Sequence, residues 1–228
     1  MKKLSLIAVL LFLFFSGYTQ QLNQIIFSGG SNFIYFSIIT NQNVLVRISD
    51  DGKIIEYGTE EQSLYNKNYF AQKLQPYSGA INYYGKESDS AFRGKIKSIG
   101  ACYFTYYPSN DYPEKKGKLK SAGTLLFDYY QNYNDALITG KIKSIGFNAV
   151  TYFSSFDNEA FKGKLKSVGN TFITYYSSFD DAITKGKLKN IGSYHYTWYG
   201  SLDRKEFNGA LKSGTQRQLI NGVTYILQ

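Results

Sequence analysis

Six glycines, Gly94, Gly117, Gly140, Gly163, Gly186 and Gly209, stand 23 residues apart, with no insertion or deletion between them. Other columns keep the same interval. One is aliphatic: Ile96, Leu119, Ile142, Leu165, Leu188 and Leu211. Two are aromatic: Tyr106, Tyr129, Tyr152, Tyr175 and Trp198, each followed by Tyr107, Tyr130, Phe153, Tyr176 and Tyr199. A weaker unit precedes them, with Tyr83 and Tyr84 in register but Ala71 and Gln72 where the Gly-Lys start should be. A period of roughly 20 to 50 residues marks a repeat architecture, in which one unit cannot bury its apolar face until a neighbour covers it.

Each unit holds two strand-like runs. In the fourth they are Gly163 to Gly169 and Thr171 to Tyr176, joined by Gly169-Asn170 and followed by Ser177-Ser178-Phe179-Asp180-Asp181. Both connecting stretches are rich in turn formers, and no 3.6-residue apolar spacing competes. An aromatic content of 18% with only 3 prolines also favours strands. The period fits either an antiparallel meander of hairpins or a parallel β-helix with one coil per unit. The lysines separate these. In a β-helix equivalent lysines would stack at about 4.8 Å, where like charges repel. In a meander a second strand intervenes and the spacing is about 9.5 Å, near the Debye length in physiological salt. The expected fold is therefore an all-β, elongated antiparallel meander of hairpins.

Strand alternation assigns faces. Leu165, Ile173 and Tyr175 are expected on the buried face, and Lys164, Lys166, Thr174 and Tyr176 on the wetter one. Val168 falls on the lysine side by parity, so that side shares apolar surface or a bulge intervenes.

The repeats are expected over residues 71–214. Residues 20–70 read as a non-repeating N-terminal β cap. In it, Asn43 to Ile48 and Lys53 to Tyr57 flank the turn Ser49-Asp50-Asp51-Gly52, a hairpin signal, and Phe33 to Ile39 reads as an earlier strand. Residues 215–228 are expected to cap the other end, because repeat arrays need atypical terminal units to close their edges. Residues 1–19 read as a secretory signal peptide: Lys2 and Lys3, the apolar run Leu6 to Phe15, then small residues at Gly17 and Thr19. The run is too short to span a bilayer, which needs about 20 apolar residues, and the mature chain has no other candidate. Removing the leader takes away two lysines and no acid, lowering the formal charge from +9 to +7. A basic exported chain suits anionic partners. The single cysteine, Cys102, excludes an internal disulfide framework and reads as a small buried filler.

The 23-residue unit with paired aromatics resembles MORN-type β-hairpin repeats in period and hairpin character. The wording GKIKSIG at Gly94 and Gly140 is closer to secreted bacterial β-repeat proteins built on GK[IL]KSIG…YY. That resemblance implies export and a β-repeat fold. It carries no activity and no functional residues.

Catalytic readings find little support. The Gly-Lys steps lack the Ser/Thr and upstream glycine of a phosphate loop. The column Asp111, Asp157, Asp180 and Asp203, with Asn134 in register, reads as turn hydrogen bonding, since columns about 9.5 Å apart cannot share a calcium ion. His195, the only histidine, is placed in a strand by Tyr194 and Tyr196. Active sites need different residues at one place, whereas these units vary little in polar residue type. No enzymatic role, cofactor or metal is expected. The binding candidate is a basic–aromatic face made by Lys95, Lys97 and Tyr107, Lys118, Lys120 and Tyr130, Lys141 and Lys143, Lys164, Lys166 and Tyr176, and Lys187, Lys189 and Tyr199. Its expected partner is an anionic polysaccharide or another envelope component, with export arguing against nucleic acid. Lysines and tyrosines that merely keep a sheet soluble would look the same. The alternative of another class, a glycan-active hydrolase, would need an unmatched carboxylate pair in a cleft.

Overall fold

A computed structural model describes residues 20–60 and 73–228. The leader read over residues 1–19, and the Ala71-Gln72 step of the weak unit, lie outside the described residues. Strands β1 (Gln21–Ser28), β2 (Asn32–Ile39), β3 (Leu45–Ile48), β4 (Ile54–Glu60) and β5 (Leu74–Gln75) precede the repeats. The repeats follow as β6 (Ile81–Tyr83), β7 (Ile96–Ile99), β8 (Cys102–Tyr106), β9 (Leu119–Ala122), β10 (Leu125–Tyr129), β11 (Ile142–Ile145), β12 (Asn148–Tyr152), β13 (Leu165–Val168), β14 (Thr171–Tyr175), β15 (Leu188–Ile191), β16 (Tyr194–His195), β17 (Thr197–Trp198) and β18 (Leu211–Ser213). Two more, β19 (Arg217–Ile220) and β20 (Val223–Leu227), close the chain.

Strands β6 to β16 form one eleven-stranded sheet in chain order, antiparallel throughout, and β17 pairs with β18 beyond it. The fold is thus an all-β meander of consecutive hairpins, and the β-helix is excluded. Each hairpin turns on a two-residue loop led by glycine. Gly169, at φ +54°, sits between the paired residues Val168 and Thr171. A side chain is strained in that left-handed region, which is why the sequence repeats glycine there.

The terminal segments do not cap opposite ends of the array. β20 lies parallel to β1, and β19-β20-β1-β2-β3-β4-β5 make a single seven-stranded sheet. Leu22, Ile25, Phe27, Phe36, Ile38, Val46 and Ile48 of this cover sheet share one core with Ile99, Phe104, Tyr129, Ile145, Leu165, Ile173 and Leu188 of the repeat sheet. The physical reason is area. The repeats present a continuous apolar face that no edge cap could cover, and each large side chain buried there contributes about 1.5–3 kcal/mol. A second sheet laid face to face covers it.

Backbone bonds fasten the two layers at their rims. Leu188 donates to the Gly30 carbonyl at 2.6 Å and Ile142 to that of Asp50 at 2.7 Å, both on the Gly-Lys side of the repeats. On the hairpin-loop side, side chains of the cover sheet do the same work. Gln42 Oε1 accepts from Ala101 N at 3.0 Å and Gln20 Oε1 from Thr124 N at 3.1 Å. Among the described residues no helix is long and apolar enough to cross a membrane.

Candidate functional site

The repeat sheet keeps one face open, and every unit carries the same irregularity on it. Tyr152 pairs with Leu165 and Thr151 with Ser167, so Lys166 is an extra residue opposite nothing. The same bulge recurs beside Tyr83, Tyr106, Tyr129, Tyr175 and Trp198. A bulge resets the alternation. That is why Leu165 and Val168 are both buried although parity places them on opposite faces. The same step turns Lys97, Lys120, Lys143 and Lys166 outward, with Lys189 half exposed.

Lys97, Lys120, Lys166 and Lys189 each reach back over an aromatic ring of the preceding unit. Lys166 Nζ lies 5.2 Å from the centroid of Phe153, Lys189 5.4 Å from Tyr176 and Lys120 5.6 Å from Tyr107. Such contacts restrain the stem and leave the ammonium wet. Lys97, Lys120, Lys143, Lys166 and Lys189 form no ion pair among the described residues, whereas Lys212 pairs with Asp203 at 2.7 Å.

The other lysine column is a correction. Lys95, Lys118, Lys141, Lys164 and Lys187 are not on the open face. They are half-buried and reach forward. Lys164 Nζ donates to the Gly186 carbonyl at 2.6 Å and Lys141 Nζ to that of Gly163 at 3.0 Å. Lys95 and Lys118 make the same bond to Gly117 and Gly140, and Lys187 turns to Gly29 of the cover sheet at 3.1 Å. Each also lies over an inner aromatic, as Lys164 does over Tyr175 at 5.1 Å. Burial pushes the ammonium pKa of Lys95, Lys118, Lys164 and Lys187 down. Alternation misassigned these residues because it does not reach them: strand β13 starts at Leu165, and Lys164 lies in the bend before it.

The tyrosines assigned to the face are half-buried ties between units. Tyr107 donates to the Phe127 carbonyl at 2.8 Å, Tyr130 to that of Val150 at 3.0 Å and Tyr176 to that of Tyr196 at 2.9 Å. The rings of Tyr107 and Tyr130 stand edge-on to the next inner aromatic, Tyr129 at 6.0 Å and Tyr152 at 6.2 Å. Tyr199 packs on Phe207 at 5.3 Å under Lys212. The aromatics that do reach solvent on this face are Tyr103 and Phe172, 62% and 64% exposed. They are the second residue of the second strand of their units, a column occupied elsewhere by Leu126, Ala149 and His195, so the missing regularity hid them. Between the lysine rows runs a polar ladder: Thr105 with Ser121 and Thr151 with Ser167, both at 2.6 Å, and Asn190 with Thr174 at 2.8 Å. Asp128 replaces threonine in this ladder and is paired with Lys115 at 2.5 Å, which helps hold its carboxyl below the usual range.

The acidic column does the turn work expected of it. Asp180 Oδ2 accepts from both the amide and the hydroxyl of Ser177, and Asp157 does the same for Ser154. A second acidic column was not singled out by sequence. Asp89, Asp135, Asn158 and Asp181 accept from Ser109, Ser155, Ser178 and Ser201 of the next unit, zipping successive loops together. These loops also hold out Tyr133, Phe156, Phe179 and Leu202, all more than 70% exposed. His195 lies exposed on the sheet, with Nδ1 2.8 Å from Asn190 Oδ1. Cys102 is buried in the core, and burial pushes its thiol up to about 11. No cluster of three metal-ligating side chains occurs among the described residues.

The arrangement offers a row of ammonium groups at one per hairpin, four of the five held over rings. Asp128 of the strands is already paired to Lys115, and the turn carboxylates Asp157 and Asp180 are near enough to feel Lys166 and Lys189. Comparison with protein-family models, with curated proteins and with solved structures finds no match.

Proposed function

We propose that this is an exported, non-enzymatic repeat protein of the cell envelope or extracellular space that binds an anionic polysaccharide along its open face. The observation that carries this reading is the row Lys97, Lys120, Lys143, Lys166 and Lys189, set by five equivalent bulges and in no ion pair among the described residues. One strand lies between neighbours, so the ammonium groups recur at two strand spacings, about 9.5 Å. Weak contacts repeated at a fixed step suit a polymer that repeats its own charge, since each engaged unit raises the effective concentration at the next. Tyr103 and Phe172 add flat apolar surface beside the row, suited to sugar rings. The apolar leader of residues 1–19 supports export.

Co-sedimentation of the purified protein with isolated acidic envelope glycans tests this. The expected result is salt-sensitive binding that is lost when the five lysines are changed together to serine. Absence of binding at low salt, or binding indifferent to the five changes, would sink the reading.

A further inference from the structure

The rim that carries the half-buried lysines is closed along most of its length. Lys141 meets Asp50 at 3.1 Å, and Lys187 meets the Gly29 carbonyl. At the first two full repeats it is not closed. There the Ser49–Lys53 turn of the cover sheet and the Gly-Lys starts of two units part around a cavity of about 520 Å³. Four ammonium-bearing side chains line it, Lys53, Lys95, Lys116 and Lys118, against one carboxylate, Asp51. Ile54, Ile96 and Tyr106 supply an apolar wall.

The lysines come from three different places. Lys95 and Lys118 belong to the repeat, and each is anchored by one bond to the carbonyl of the next glycine. An ammonium has three donors, so each keeps two for a ligand. Lys53 comes from the cover sheet and is tied to Asp51 at 2.7 Å. Lys116 comes from the loop before Gly117 and is exposed. Asp50 and Glu114 act on Lys118 from outside the lining and soften its charge, whereas the charge acting on Lys95 is the like-signed Lys53. Positive charge therefore exceeds negative in a partly desolvated space, where an anion is held more strongly than on an open surface. The volume is within the range of small-molecule sites, roughly 300–1,000 Å³.

We propose that this cavity is a binding site for a small organic anion of about monosaccharide size, carrying a carboxylate or phosphate that the four lysines receive while its ring lies on Ile54, Ile96 and Tyr106. The site uses none of the open-face lysines and stands or falls separately from the polysaccharide reading.

Titration calorimetry of the purified protein at low ionic strength, with glucuronate, glucose 6-phosphate and glucose as probes, tests it. At least one charged probe is expected to bind, and glucose at least tenfold more weakly. The two charged arms distinguish carboxylate from phosphate. Lys116→Glu, an exposed loop change, should weaken binding about tenfold, and adding Lys53→Glu should weaken it further. The quintuple serine variant of the open face should bind the probe as wild type does. If neither charged probe binds below about 10 mM, if glucose binds as well as they do, or if Lys116→Glu and the double variant bind unchanged, the proposal is overturned.

Discussion

The indole of Trp198 leaves no room for a side chain on Gly30. A β-carbon built there would come within 2.0 Å of the ring, and the Gly30 backbone has a φ of +69°. Both layers meet at this point, since the Gly30 carbonyl also accepts from Leu188. Gly30→Ala is therefore expected to cost about 2–4 kcal/mol, from a clash that must move an indole or a turn plus left-handed strain. Gly29 has nearly the same φ, +57°, and open space around it. Gly29→Ala should lose only the strain, about 1–2 kcal/mol. Urea unfolding of the two variants checks this, and equal losses would show that the Trp198 contact does not fasten the layers.

The two lysine columns should separate by experiment. Lys164 is half-buried between Tyr175 and the Gly186 carbonyl, so Lys164→Ala leaves a carbonyl and a ring without their cover. A loss of about 1–3 kcal/mol is expected, with little effect on polyanion binding. Lys166 is exposed, with its tip over Phe153. Lys166→Ala should cost at most about 1 kcal/mol while flattening the salt dependence of binding. Thermal unfolding and salt-dependent co-sedimentation on both variants give the four readings.

The hairpins were legible because each unit writes its own turns and alternation, and Val168 even signalled the bulge as a conflict of parity. Of the cover sheet, strands β2 to β4 and the hairpin at Ser49 to Gly52 were legible, but its closure was not. Pairing of β1 with β20 joins Ile25 to Tyr225 across nearly the whole chain, and nothing local in Gln24 to Phe27 marks a parallel partner. The open face was half legible. Periodicity found both lysine columns and could not tell a residue in a bulge from one in a bend. That distinction depends on hydrogen-bond register between units, which a single strand does not carry.

The inner aromatics give a matched pair of substitutions. Tyr175 Oη donates to the Leu165 carbonyl at 3.0 Å and Tyr129 Oη to that of Leu119 at 2.7 Å. Tyr152 occupies the equivalent place, buried, with its hydroxyl unpartnered. Removing a satisfied buried hydroxyl leaves its acceptor orphaned, while removing an unsatisfied one relieves a desolvation cost. Tyr175→Phe should lose about 1–2 kcal/mol, and Tyr152→Phe should be neutral or stabilising. Denaturant midpoints would show it, and a clear loss for Tyr152→Phe would mean that its hydroxyl is bonded in solution.

Alkali should unfold the protein through the same column. Burial raises the phenol pKa of Tyr106, Tyr129, Tyr152 and Tyr175, and pushes Tyr196 up to about 12 even though a bond from Gln218 opposes the shift. An unfolded tyrosine ionises near pH 10. Between that value and the raised native one, the native state holds more protons than the unfolded state, so stability falls as pH rises. The stabilisation is complete below about pH 10 and is lost progressively above it. The half-buried lysines act in the opposite sense. Their native pKa is lowered, so the unfolded chain holds more protons as pH nears about 10.4 and stability gains there. The tyrosines should dominate, because they are more deeply buried and their effect grows over the whole range above pH 10. Phenolate absorbance should therefore keep a late stage that appears together with loss of the far-ultraviolet dichroism of the sheets. If all the phenolate signal developed while the sheets stayed intact, the inner tyrosines would not be sealed in the core between the two layers.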